Sequence, residues 1–109
     1  MKHLIVTDKD HGAEFSLHVG DELVVRLEAI PGTGYSWIIS GDNEGVLSQI
    51  SEPIFEKSGK PALGEVEQQV FSFRALSTGV RRLQWLYRRP WEKQETGTKS
   101  FFITVVVEK

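Results

Sequence analysis

The chain has 109 residues, a formal charge of −2, 13 Lys and Arg against 15 Asp and Glu, and no cysteine. That length is enough for one domain to bury a core without staples, and the mixed charge gives no electrostatic footprint for nucleic acid or an anionic membrane. Without cysteine, disulfides, thiol catalysis and thiolate metal sites are excluded, while the redox compartment stays open.

The start, MKHLIVTDKDHG, holds only a short apolar piece and no small-residue cleavage site, so no secretion signal is visible in this chain. A cytoplasmic location is the default expectation unless a signal has been removed. No apolar run approaches the roughly 20 residues needed to span a bilayer as a helix.

Alternation dominates from here on, and helical periodicity is hard to find. Weak strands are expected over His3–Thr7 and Glu14–Leu17. Over 22–28, Leu23, Val25 and Leu27 share a face opposite Glu22, Val24, Arg26 and Glu28. Tyr35, Trp37 and Ile39 share another. A further weak strand falls in part of Val46–Phe55. Over 67–75, Gln69, Phe71, Phe73 and Ala75 line up, over 80–87 Leu83, Trp85 and Tyr87 do so, and over 101–107 Phe101, Ile103, Val105 and Val107. Period two with β-branched and aromatic residues marks half-buried strands. Turn signals separate them at Asp10-His11-Gly12, Gly20-Asp21, Pro31-Gly32, Gly41-Asp42-Asn43, Ser58 to Pro61, Ser77-Thr78-Gly79 and Thr96-Gly97-Thr98. The expected fold is all-β: an antiparallel sandwich of seven to eight strands in a single domain, residues 1–109.

In a seven-stranded sandwich of this kind, the 22–28, 35–39, 67–75, 80–87 and 99–107 strands take positions B, C, E, F and G. The B–C, D–E and F–G connections then emerge at one end. The first, around Ile30 to Gly34, has Pro31 fixing one φ angle and two glycines permitting positive ones. Its Thr33 has no evident packing role and would stand at the tip of a narrow, uncharged finger. Trp37, in the alternating pattern, reads as core. The F–G connection opens with Arg89-Pro90-Trp91. A Trp directly after Pro in a loop is a docking candidate, because Trp and Arg are enriched among interface hot spots. The bland alternative folds Trp91 back onto the sheet with Arg89 stacked on it. The D–E connection, 56–65, is less telling by itself.

Other chemistries find little support. Arg81, Arg82, Arg88 and Arg89 lie near aromatics, as in single-strand nucleic-acid binders, but Trp85 and Tyr87 face the core and leave few stacking platforms. His3, His11 and His18 fit no common metal spacing, and no nucleophile–base pair stands out. The expectation is no enzyme, no metal and no cofactor.

Three loop segments carry a resemblance to the chagasin-like inhibitors of papain-family cysteine proteases. The family's Asn-Pro-Thr-Thr-Gly-Tyr/Phe motif resembles Ile30-Pro31-Gly32-Thr33-Gly34-Tyr35, followed by the aromatic Trp37. Its Arg-Pro-Trp motif is intact at Arg89-Pro90-Trp91, preceded by Leu86 and Tyr87. Its Gly-X-Gly-Gly motif is matched only loosely, by Ala62-Leu63-Gly64-Glu65. Ile30 stands where the family has an Asn able to brace the loop, and Gly32 where it has a Thr. The resemblance implies an immunoglobulin-like β-sandwich that reversibly and tightly blocks a papain-like protease through three loops, 30–35, 59–65 and 88–92. The implied contacts are Pro31, Gly32, Thr33, Gly34, Tyr35, Leu63, Gly64, Arg89, Pro90 and Trp91. It also implies a monomer when free, with no nucleic-acid or membrane partner. The alternative is a non-inhibitory protein- or glycan-binding module on the same scaffold.

Overall fold

The computed structural model describes residues 2–40, 45–57, 66–89 and 99–109. Nine strands are present among them: β1 (His3–Thr7), β2 (Glu14–His18), β3 (Glu22–Ala29), β4 (Ser36–Ile39), β5 (Leu47–Gln49), β6 (Ile54–Lys57), β7 (Glu67–Ala75), β8 (Gly79–Arg88) and β9 (Lys99–Glu108). There is no α-helix among the described residues, only 3-10 turns at Asp8–Asp10 and Pro31–Thr33. The turn expected at 41–43 and those at 58–61 and 96–98 lie outside the described residues.

The strands form two sheets. One runs β1-β3-β7-β5, with β6 also pairing β7, and the other runs β2-β9-β8-β4. The all-β sandwich is therefore as expected, with two differences from the sequence reading. The strand count rises to nine because the weak 46–55 strand is split: β5 pairs Phe73–Ala75 and β6 pairs Glu67–Val70 of the same strand. Pro53 has no N–H to give to a ladder, and it lies in the 50–53 break between them. The sandwich is also not wholly antiparallel. β1 pairs β3 and β2 pairs β9 in parallel, because the first stretch of chain crosses from one sheet's edge to the other's.

Alternation places the core. Leu23, Val25 and Leu27 of β3, Phe71 and Phe73 of β7, Leu83 and Trp85 of β8, and Ile103 and Val105 of β9 are all buried. Trp85 is fully buried at the centre, with ring centroids of Phe71, Phe73 and Phe101 at 5.5, 6.2 and 5.7 Å in edge-on or tilted arrangements. Such geometries suit the aromatic quadrupole.

β4 sits at an edge, paired on one side to β8. Its other side is met by a side chain from the opposite sheet. The Trp37 amide donates to Gln69 Oε1 at 2.8 Å, and Gln69 Nε2 donates to the Trp37 carbonyl at 2.9 Å. Gln69 is one of two buried polar or charged residues among those described. The other is Asp21, in the turn between β2 and β3. Its carboxylate accepts the His18 amide at 2.9 Å and the Lys2 amide at 3.0 Å. Those two hydrogen bonds hold the Asp21 carboxyl below the usual carboxylate range, against the opposing effect of burial.

Two predictions follow from this packing. Truncating Trp85 to Ala should cost about 3–5 kcal/mol in urea denaturation, since nothing nearby can fill the void. The Asp21 carboxyl titrates lower in the folded chain than in the unfolded one, so the unfolded chain takes up the proton first. Its stabilisation is present above roughly pH 4 and is lost as pH falls through the depressed folded value. Asp21→Asn should therefore lower Tm at neutral pH and flatten the fall of Tm in acid, as read by thermal melts across that range.

Candidate functional site

The register gathers one end of the sandwich. Ala29 of β3 and Lys57 of β6 both oppose Glu67 of β7, Ser36 of β4 opposes Arg88 of β8, and Lys99 of β9 opposes Tyr87. All six strand ends that flank the three singled-out connections therefore lie together. Leu63, Gly64, Pro90 and Trp91 lie outside the described residues. Pro31, Gly32, Thr33, Gly34, Tyr35 and Arg89 lie within them.

The 30–35 segment forms a tight turn. Pro31–Thr33 is one turn of 3-10 helix, closed by the Thr33 amide donating to the Ile30 carbonyl at 3.1 Å. Gly34 follows with φ at +84°, a left-handed conformation that disfavours a side chain. Gly32 does not need its glycine in this way: a Cβ built there meets nothing within 4 Å, and its φ is not left-handed. Thr33 is exposed, but its hydroxyl is engaged within the loop. Oγ1 donates to the Ile30 carbonyl at 2.7 Å and accepts the Tyr35 amide at 3.3 Å. This packing role was not evident in the sequence.

Three groups from elsewhere fix the turn. The Trp37 indole Nε1 donates to the Glu28 carbonyl at 2.9 Å, joining the two stems of the loop. The Ile30 amide donates to Tyr87 Oη at 3.1 Å. Arg89 Nε donates to the Thr33 carbonyl at 3.1 Å, while its guanidinium carbon lies 4.5 Å from the centroid of Tyr35. A cation over a ring at such a half-exposed site contributes about 0.5–1 kcal/mol. Tyr35 in turn stacks on Tyr87 at 5.4 Å, and Tyr87 packs on Trp37 at 4.9 Å. Beside the loop stems, a cavity of about 540 Å³ is lined by Ile30, Trp37, Tyr87, Phe101, His11 and Lys99 among others.

The structure thus brings Arg89, with which the third singled-out segment begins, against the first. Arg89 meets Tyr35 and Thr33, where the sequence offered only Trp91 as a stacking partner. Tyr87 was placed on the core face, and its hydroxyl as a loop brace went unread. The signal available was its position two residues past Trp85, where a strand leaves the core. Among the described residues, no group of three or more His, Asp or Glu could hold a metal ion. Among the described residues the site presents a mostly main-chain crest and an anchored arginine.

Similarity to known proteins gives the class of protein. The sequence matches the family model for the chagasin family of peptidase inhibitors, I42, over residues 16–105, and the chain belongs to that family of cysteine protease inhibitors rather than to an enzyme family. Amoebiasin-2 of Entamoeba histolytica is 25% identical over 105 residues, spanning 94% of this chain and 84% of that protein. The crystal structure of the cysteine protease inhibitor EhICP2 from Entamoeba histolytica has the same fold, with a TM-score of 0.87 at 25% identity, covering 99% of this chain and 97% of that one. PbICP-C, solved in complex with falcipain-2, shares the fold at a TM-score of 0.60 and 24% identity, covering 99% of this chain and 100% of that one.

The two glycines should respond oppositely to the same change. Gly32→Ala, with open space and an ordinary φ, should raise stability by about 0.4–1 kcal/mol by restricting the unfolded chain. Gly34→Ala should lower it by about 1–2 kcal/mol because of its left-handed backbone. Chemical denaturation of the two variants beside the parent checks both signs.

Proposed function

We propose that residues 1–109 act as one inhibitor domain that reversibly and tightly occludes the active-site cleft of a papain-like cysteine protease. The 30–35 turn enters the cleft, and the 88–92 and 59–65 segments flank it. One copy blocks one protease, and no cofactor takes part. Gly32 and Thr33 form the crest, Pro31, Gly34 and Tyr35 shape it, and Arg89, Pro90 and Trp91 form the second contact. Leu63 and Gly64 belong to the third.

The observation that carries this reading is the Arg89 bond to the Thr33 carbonyl. It ties Arg89 to the Pro-Gly-Thr-Gly turn across 56 residues of sequence, which supports reading the two motifs as one surface. A second support is that PbICP-C, with the same fold, is known in complex with falcipain-2. The physics is favourable. A turn already braced by six hydrogen bonds loses little conformational freedom when it docks. A crest that is mainly backbone and glycine can also approach a catalytic thiolate without offering it a strained, cleavable bond.

The test is titration of the protein into papain with a fluorogenic peptide substrate. Dose-dependent, reversible inhibition is expected. Trp91→Ala should weaken it by about 1–3 kcal/mol, the range of a hot-spot aromatic. Thr33→Asp should weaken it further, by bringing a carboxylate toward a thiolate in a desolvated cleft and by losing the hydroxyl's donation to Ile30. Absence of inhibition by the parent, repeated with a cathepsin L-like enzyme, would sink the reading.

A further inference from the structure

Gln69 is a buried polar side chain that the family motifs do not include, and its surroundings are otherwise apolar. It lies on β7, opposite Leu27 of β3 and Phe55 of β6, in line with the inward-facing Phe71 and Phe73. An apolar residue would pack there without any desolvation cost. Instead the carboxamide crosses between the sheets and meets the backbone of Trp37 with both of its ends.

The geometry explains why an amide is needed. β4 is four residues long and has a strand partner on one side, β8. The Trp37 amide and carbonyl meet the side chain of Gln69 from the opposite sheet, and among the described residues no strand pairs them. A primary amide supplies one donor and one acceptor at the spacing of a peptide group, so Gln69 stands in for the missing strand. Leaving both Trp37 groups unpaired in a buried place would favour peeling β4 away to reach water.

We propose that Gln69 is the positioning residue of the inhibitory loop. It fixes Trp37, whose indole reaches back to the Glu28 carbonyl and whose ring packs on Tyr87. Both stems of the 30–35 turn are thereby set from a side chain about 30 residues away in sequence that does not itself belong to the loop end's surface. The consequence for binding is preorganisation: if the docking-competent turn falls to a tenth of the population, apparent affinity falls about tenfold with no contact residue changed. This inference rests on the reading of 30–35 as the inhibitory loop, but its first readout does not need a protease.

Three variants decide it. Gln69→Met keeps the volume and removes both hydrogen-bonding ends. Nuclear magnetic resonance should then show backbone order parameters at Thr33 and Tyr35 falling from about 0.85 toward 0.6. The Trp37 indole proton should exchange at least about tenfold faster, while the Leu83 amide, in the central β8–β9 ladder, keeps the parent's rate. Gln69→Glu adds a chemical switch. As a carboxylate it can accept from the Trp37 amide but cannot donate to the carbonyl, whereas as a neutral acid it does both. Burial raises a carboxyl pKa, so loop order and inhibition should recover as pH is lowered from about 8 to about 5. The charged and titratable groups closest in register on the surrounding strands are Arg26 and Glu28 of β3, Glu56 and Lys57 of β6, Glu67 of β7, and Tyr87 and Arg88 of β8, which the parent shares and which it therefore controls for at each pH. Gln69→Leu should resemble Gln69→Met and show no such recovery.

Parent-like order parameters and indole exchange in Gln69→Met would overturn the proposal, as would a Gln69→Glu pH profile that matches the parent's. If Gln69→Met does not fold, the Gln69→Glu profile decides alone. Should the parent fail to inhibit papain, the functional reading falls, and the order parameters still judge Gln69.

Discussion

The inward column of β8 is the constraint on which the rest of the molecule depends. Leu83 and Trp85 are buried at the centre of the sandwich, Tyr87 follows at its lip, and Arg89 follows Tyr87. Leu83, Trp85 and Tyr87 stand two residues apart, so the strand period sends these three to one face, and Arg89 follows just past the strand's end. The first two hold the sheets together through apolar contact. The third exchanges burial for a hydrogen bond, receiving the Ile30 amide while stacking on Tyr35. The fourth is charged and uses its fork on the Thr33 carbonyl. Core and loop end are therefore continuous, and the turn is anchored to the strand that carries the buried centre of the core.

This continuity bears on the departures from the family motif. Ile30 lacks the side-chain amide that could brace the turn in its relatives. The brace comes instead from main chain and neighbours: the Ile30 carbonyl accepts from both the Thr33 amide and the Thr33 hydroxyl, and the Ile30 amide is taken by Tyr87. A loop held at both peptide groups of its first residue does not need that residue's side chain, which is left partly exposed. Gly32 is the one position where freedom remains without a conformational need, and it sits at the crest.

What was legible in the sequence follows from what period two encodes. Leu23, Val25, Leu27, Phe71, Phe73, Leu83, Trp85, Ile103 and Val105 were all assigned to the inner face by alternation, and all are buried. Short loops between strong strands gave the topology, and topology brought the loop ends together. Three features were not legible. The split of the 46–55 strand depends on Pro53 meeting a particular ladder position. The parallel edges depend on which sheet the chain's first residues join, a choice between two apolar faces that local pattern does not record. Gln69 stood in the inner column and could be read as a core residue, but its role appears only when the facing strand is known to lack a neighbour. Long-range pairings of polar groups leave little periodic trace, because a single residue carries each one.

The two ends of the sandwich are therefore held by different physics. At the far end Asp21 gathers the amides of Lys2 and His18, and its own carbonyl receives the Ala75 amide, so that β1, β2, β3 and β7 meet at one ionised group. At the loop end the described braces within the 30–35 turn are neutral carbonyls, a phenol, an indole and an always-charged guanidinium, while the β3 stem below it is also held by a carboxylate, Asp8 Oδ2 accepting the Glu28 amide at 2.9 Å. As pH falls through the depressed Asp21 value, acid weakens the seam that closes the first strands onto the sandwich, while the described hydrogen bonds within the turn contain no carboxylate or imidazole. The two seams therefore differ in kind: the far one rests on the charge of a single carboxylate, whereas the hydrogen bonds within the 30–35 turn rest on neutral dipoles and one permanent cation.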